Sequence, residues 1–251
     1  GGAKISFALT AGDHLLTVET VSEHGYYSGM YHPPSLGGTQ QVFSAALTQC
    51  AAYGLAFFVP LALALFTFFL WRSAKDEAAF WFGLLCCGFS LYVSYYFVRL
   101  LGLPLQSYWY LIQSVAFYIL CYCVMHLTAI TCGFKSRKSA VWIERILMAA
   151  SAALVLLALL IPILPWAVRL HGALTDAYYI FTFCGVLLLV LRGERLSGWE
   201  QRFTLLGCMV FGTGLVLNLF FSNRFEPILF FWQFEWCGLF LVTLFGAVMA
   251  A

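Results

Sequence analysis

Residues 80–101, FWFGLLCCGFSLYVSYYFVRLL, decide the fold. The run stays apolar or aromatic almost to its end, and a bilayer-crossing helix needs about 20 such residues. It also carries the clearest polar irregularity of the chain. Tyr92, Tyr95, Tyr96 and Arg99 fall at i, i+3, i+4 and i+7, so a continuous helix places them on one face. A cation at the end of a tyrosine stripe in lipid needs water, headgroups or an acid beside it.

Composition sets the same class for the whole chain. Of 251 residues, 63% are hydrophobic and 10% charged, whereas soluble domains are about 45–50% apolar and about 25% charged. A water-facing surface cannot be built from so few polar residues, so most of the chain faces lipid or other buried helices. The formal charge of +2 points to no nucleic-acid partner. The nine cysteines are spread along apolar runs, which reads as small packing residues with free thiols.

Seven apolar spans are predicted near 51–71, 80–101, 108–132, 146–166, 173–191, 203–222 and 229–250. Residues 1–49 differ in kind. Lys4–Leu9 and His14–Val21 have strand composition around an Ala11-Gly12-Asp13 turn, followed by a Gly-, Pro- and aromatic-rich loop. Two strands alone are marginal in water, so this segment reads as the tail of a larger extracytoplasmic β domain with its linker. The chain thus divides into 1–49, the β tail, and 50–251, a seven-transmembrane helix bundle of all-α class. Pro60 is expected to kink the first span, and Pro162 and Pro165 to weaken the end of the fourth. Gly83 and Cys87, Ala149 and Ala153, and Cys208 and Gly212 have the small-xxx-small spacing of close helix packing.

Loop charge gives the expected orientation. Arg72, Lys75, Lys135, Arg137, Lys138, Arg145, Arg192, Arg195 and Arg202 flank one side of the spans, against Lys4, Arg99, Arg169 and Arg224 on the other. The positive-inside rule then puts the N-terminus outside and the C-terminus in the cytoplasm. Trp71, Trp109, Trp142, Trp166 and Trp232 fall near span ends, where interfacial anchors belong.

The segment HLLTVETVSEHGYYSGMYHPPSLGG, followed by AAYGLAFFVPLALALFTFFLWRSAKDEAAFWFGLL and five more spans, resembles the bacterial seven-transmembrane receptors with diverse intracellular signalling modules. The resemblance covers roughly residues 10–251. It implies a jelly-roll-like extracytoplasmic domain before the bundle and a cytoplasmic signalling output domain after Ala251. It also implies residence in the bacterial inner membrane, a small-molecule ligand of unknown identity, and a homodimer, because output enzymes of that family often work as dimers. Both ends of the chain read as cut, so this stretch by itself is expected to be a sensor module without enzymatic activity.

Polar residues gather towards the expected outer side of the spans: Arg99, Gln113, Asp176, Asn218 and Glu235. Intramembrane ionisable groups normally face the bundle and pair. The expectation is that Arg99 pairs with Glu235 or with Asp176, at the floor of an outward-facing cavity lined by Tyr92, Tyr95, Tyr96 and Trp236, which would bind the ligand. Simpler readings compete. Arg99 can snorkel to the interface, Thr175 or Asp176 can cap a helix, and Gln113 and Asn218 can be ordinary interhelical donors. Glu235 is the hardest to dismiss, because a carboxyl so deep needs a partner or a proton.

His126 follows Cys123 on one helical face while Cys121 points away, which is poor metal geometry, and a bond to a neighbouring Ser or Thr is the simpler reading. His171 is expected in an outer loop, and His14, His24 and His32 in the β tail. No lysine in the seventh span offers a Schiff-base attachment, and no Gly-rich phosphate loop appears, so no cofactor is expected. The basic loops FKSRKSAVWIER and LRGERLSGWEQR suit anionic lipid headgroups. The preferred reading is a transmembrane signal receptor. The alternative is an integral membrane enzyme or carrier acting on a lipid or small molecule through Glu235, Asp176 and Arg99.

Overall fold

The computed structural model describes residues 38–101, 107–133, 138–161, 163–164, 166–191, 198–221 and 231–249. Both strands predicted in the 1–49 segment, Lys4–Leu9 and His14–Val21, lie outside them. The helices are α1 (Thr39–Ala74), α2 (Glu77–Val93), α3 (Tyr95–Leu100), α4 (Ser107–Thr131), α5 (Lys138–Leu160), α6 (Ala167–Leu191), α7 (Trp199–Phe221) and α8 (Gln233–Met249). Among the described residues six helices are long and apolar enough to cross a membrane, and α8 is a shorter apolar helix of 17 residues. The outward faces agree with that. Leu55, Phe58, Leu65, Phe66 and Phe69 of α1 and Leu156 and Leu159 of α5 are exposed, an arrangement suited to lipid and costly in water. The described residues form a multi-pass, all-α membrane bundle.

Local chemistry sets the first hairpin. α1 ends where Lys75 takes a left-handed conformation (φ 57°) and its N–H bonds Trp71 O at 2.8 Å. Asp76 then caps α2, accepting the Ala78 N–H at 3.0 Å. So tight a turn makes α1 and α2 antiparallel neighbours. Pro60, inside α1, leaves the Ala56 carbonyl without its helical N–H. Beside it, Ser90 of α2 donates to Phe57 O at 2.9 Å, so a neighbouring helix supports the backbone at the proline.

Packing follows chain order, with α1 on α2, α2 on α4, and then α5, α6, α7 and α8 each on the one before. Contacts between α2 and α8 close the ring, and α4 touches α6 and α7 across it. α4 is the central helix, with 67% of its apolar window buried against 17% for α5. Small residues allow the closest approaches. A Cβ on Gly83 would lie 2.8 Å from Thr67 and Phe68 of α1, and one on Gly238 would meet the ring of Phe89, which locks α8 against α2. Gly212 faces Phe183 of α6, and Cys208 is buried against Thr128. Ala149 and Ala153, expected to pack, are exposed on α5. All nine cysteines are free thiols.

Several boundaries differ from expectation. α1 begins at Thr39, so residues 39–49 are helix rather than linker. Gln41 reaches back to the Gly38 N–H (3.4 Å), and Gln, Ala and Leu in this stretch are good helix formers. α5 begins at Lys138 and α6 at Ala167, which makes Glu144 and His171 helical. Apolarity marks only the lipid-buried part of a helix, and the backbone continues through the polar interface. The fourth span stops at Leu160, while Pro162 and Pro165 lie outside the described residues. The deciding stretch 80–101 is not one continuous helix. Ser94 makes a turn in which its N–H bonds Leu91 O (3.3 Å) and its Oγ bonds the same carbonyl (2.6 Å). This competition from a serine hydroxyl separates α3 from α2.

Candidate functional site

α8 opens with Gln233, so Glu235 stands in its first turn, where the helix dipole favours a carboxylate. Its Oε2 accepts the Trp232 N–H at 2.9 Å, which satisfies one of the donors left free at a helix start. The same Oε2 accepts the Tyr53 hydroxyl of α1 at 2.8 Å, and Oε1 accepts the Tyr95 hydroxyl of α3 at 2.8 Å. The two phenol oxygens are themselves 3.2 Å apart. Glu235 is only 1% exposed, so this is a buried carboxyl group held by two phenols and a backbone amide.

Aromatic rings enclose the centre. Tyr96 stacks on Tyr53 with centroids 3.9 Å apart and planes 4° apart, and Phe231 tilts against Tyr53 at 4.8 Å. Tyr92 meets Phe234 edge-on at 5.2 Å, and Trp236 meets Phe231 at 5.1 Å. The turn at Ser94 divides the tyrosine stripe. Tyr92 belongs to α2 and packs on α8, while Tyr95 and Tyr96, past the turn, reach Glu235 and Tyr53. Among the described residues, the side chains expected to line a cavity pack against one another and around the carboxylate.

The other polar residues are dispersed. Arg99 lies in α3 with its side chain outside the described residues, and among the described residues the donors to Glu235 are Tyr53, Tyr95 and the Trp232 amide. Asp176 is exposed on α6, and Gln113 is half-buried on α4. Asn218 of α7 donates to the Tyr179 hydroxyl of α6 at 3.1 Å. His171, expected in a loop, is buried on α6, 3.0 Å from the Tyr118 hydroxyl of α4. Thr175 of α6 also reaches Tyr118, at 3.2 Å.

Tyr53 is the member of the centre that sequence reasoning missed. Its signal is slight: one hydroxyl in the otherwise apolar AAYGLAFF of α1. His126 also differs from expectation. Its partners are two carboxylates, with Glu77 Oε1 3.4 Å from Nε2 and Glu144 Oε1 3.2 Å from Nδ1, and not a Ser or Thr. Because the two acids sit on opposite ring nitrogens, the three side chains cannot converge on one ion. Among the described residues no group of three or more His, Cys, Asp or Glu is placed to hold a metal ion.

No family model matches the chain, and no curated protein or solved structure matches it either.

Proposed function

We propose that the chain is the membrane module of a seven-pass signal receptor, of the kind that the bacterial seven-transmembrane receptors with diverse intracellular signalling modules represent. The observation that carries this reading is the Glu235 centre. One buried carboxylate joins α1, α3 and α8 immediately beyond a helix turn at Ser94. Such a joint can hold one of two helix arrangements, and a stimulus needs only a differential affinity for the two to shift their populations. α8 is the seventh crossing in this reading. Its 17 residues rise about 25 Å, and it packs along α7 and α2.

In the same reading the N-terminus is extracytoplasmic and the C-terminus cytoplasmic, in a bacterial inner membrane. Arg72 in the last turn of α1 and Lys75 just after it, Lys138 and Arg145 in α5 and Arg202 in α7 share the end that the positive-inside rule places in the cytoplasm. The Glu235 centre then lies towards the outside, where a small ligand or an extracytoplasmic domain can act on it. α8 carries the change inward to a cytoplasmic output domain, and paired outputs make the receptor a homodimer.

The test uses the full gene product in membranes. Nucleotide-dependent output, such as autophosphorylation or cyclic nucleotide formation, is measured for wild type, Glu235→Gln and Tyr95→Phe at matched protein levels. A shift of output in both variants supports the reading. A gene product without a signalling output, or an output that both variants leave unchanged, overturns it.

A further inference from the structure

Halfway along the bundle, α2 and α5 both pack on α4 and leave a lateral crevice of about 270 Å³ between them. Leu84 of α2 forms one wall, Met148 and Ala152 of α5 the other, and Val115, Ile119 and Tyr122 of α4 the floor. Met148 and Ala152 are exposed, so the crevice opens sideways. Its floor occupies the middle of the apolar span Leu111–Thr131, and its α5 wall the middle of Lys138–Leu160. Outside the opening therefore lies the hydrocarbon core of the bilayer, about 30 Å thick.

The hydroxyls nearest the crevice are turned away from it. Ser151 Oγ donates to Leu147 O at 2.7 Å and lies 2.8 Å from the Tyr178 hydroxyl of α6. The Tyr118 hydroxyl lies 3.0 Å from His171 Nε2 and 3.2 Å from Thr175 Oγ1, both also on α6. Tyr122 stacks its ring on that of His126, with planes 15° apart. What the crevice presents is apolar surface alone. A polar guest finds no partner there and bears the full cost of burial, whereas a hydrocarbon bears none. Left empty, the crevice deprives its lining atoms of dispersion contacts on one side. An apolar cavity of about 150 Å³ is already large enough to take benzene or xenon.

We infer that this crevice is a binding site for one acyl chain of a bilayer phospholipid, held by its hydrocarbon alone. The floor is eight residue steps long, about 12 Å. A chain of one leaflet reaches about 15 Å from the interface to the midplane, so the terminal half of one chain fills the crevice. The glycerol and headgroup stay at the interface, beyond its walls. The site therefore selects for the chain and not for the head, and the bound chain supplies the packing between α2 and α5 that the protein leaves open.

The test is photocrosslinking in nanodiscs that hold one protein chain each, with a phospholipid carrying a diazirine near the end of one acyl chain, followed by peptide mapping. Crosslinks are expected to concentrate on 115–123 of α4 and 148–155 of α5, severalfold above the stretch of α1 that exposes Leu55, Phe58 and Leu65 to the same lipid. Ala152→Phe fills the opening and should remove most of the crevice crosslinks. Ala153→Phe adds the same ring at the next exposed position of α5, outside the lining, and should leave them. Exchanging phosphatidylcholine for phosphatidylglycerol with identical chains should change nothing. Even labelling of α1 and α5 overturns the inference, as do crevice crosslinks that survive Ala152→Phe or that depend on the headgroup. Should Ala152→Phe fail to fold, the wild-type pattern and the headgroup exchange decide the matter.

Discussion

Removing the Tyr95 hydroxyl is the most informative single perturbation of the bundle. Glu235 Oε1 accepts from Tyr95, whereas Oε2 accepts from both Tyr53 and the Trp232 amide. Tyr95→Phe therefore strips one buried carboxylate oxygen of its donor, while Tyr53→Phe leaves Oε2 the amide. A hydrogen bond to a charged group contributes about 1.5–3 kcal/mol in soluble proteins. Interhelical bonds in membranes average about 0.6 kcal/mol and reach about 1.7, because the unfolded chain in lipid also finds partners. Since Glu235 is nearly inaccessible, the upper part of the membrane range applies. Tyr95→Phe should cost about 1–2 kcal/mol and Tyr53→Phe about half as much. The assay is reversible unfolding in lipid nanodiscs, extended to a double-mutant cycle with Glu235→Gln. A neutral amide oxygen accepts more weakly, so the cost of Tyr95→Phe should fall clearly in the Glu235→Gln background. Equal costs for the two tyrosines, or strict additivity with Glu235→Gln, would refute the assignment of Tyr95 to a charged oxygen.

Three further outcomes test the packing and the orientation. Gly238→Ala should destabilise the bundle by about 1–3 kcal/mol, because its Cβ meets the ring of Phe89. By contrast Gly54→Ala, with nothing within 4 Å, should be neutral or stabilising by up to about 1 kcal/mol; thermal unfolding in the same nanodiscs separates the two. Ser90→Ala removes the donor to Phe57 O beside Pro60 and should cost about 1 kcal/mol, a loss that falls in a Pro60→Ala background if the hydroxyl supports the proline. Cysteines placed at Ser73 and Ser139 should react with a membrane-impermeant maleimide only from the cytoplasmic side, and one at Trp166 only from the other, all three positions being exposed; labelling of all three from one side would contradict the proposed topology.

The membrane class was legible because composition alone forces it, and the positions of six of the seven predicted spans followed from the same apolarity. Their ends were not. The helical start at Thr39 and the first turns of α5 and α6 are built from polar or mixed residues, which hydropathy leaves to the loops. Glu235, Tyr92, Tyr95 and Tyr96 stood out as polar groups in apolar runs, and the structure brings all four to the start of α8. Their partnerships depend on which helices touch, which one-dimensional spacing does not encode. Tyr53 went unnoticed for that reason. The carboxylates at His126 were missed through the boundary at α5: with Glu144 assigned to a loop, no acid was available on the facing helix. The turn at Ser94 was concealed by a helical spacing that reads as continuous.

The claim with most consequence is that the Glu235 joint holds one of two helix arrangements. Electron–electron distance measurement between α1 and the end of α3 tests it directly. Spin labels are placed at the exposed positions Ser44 and Leu101, through non-cysteine chemistry because nine native thiols are free. Wild type in nanodiscs should give one dominant distance. Tyr95→Phe, by removing about 1–2 kcal/mol from the joined state, should raise a second distance about 5–30-fold in population. An identical single distribution in wild type, Tyr95→Phe and Glu235→Gln would contradict the account and leave the Glu235 centre a static fastener of the bundle.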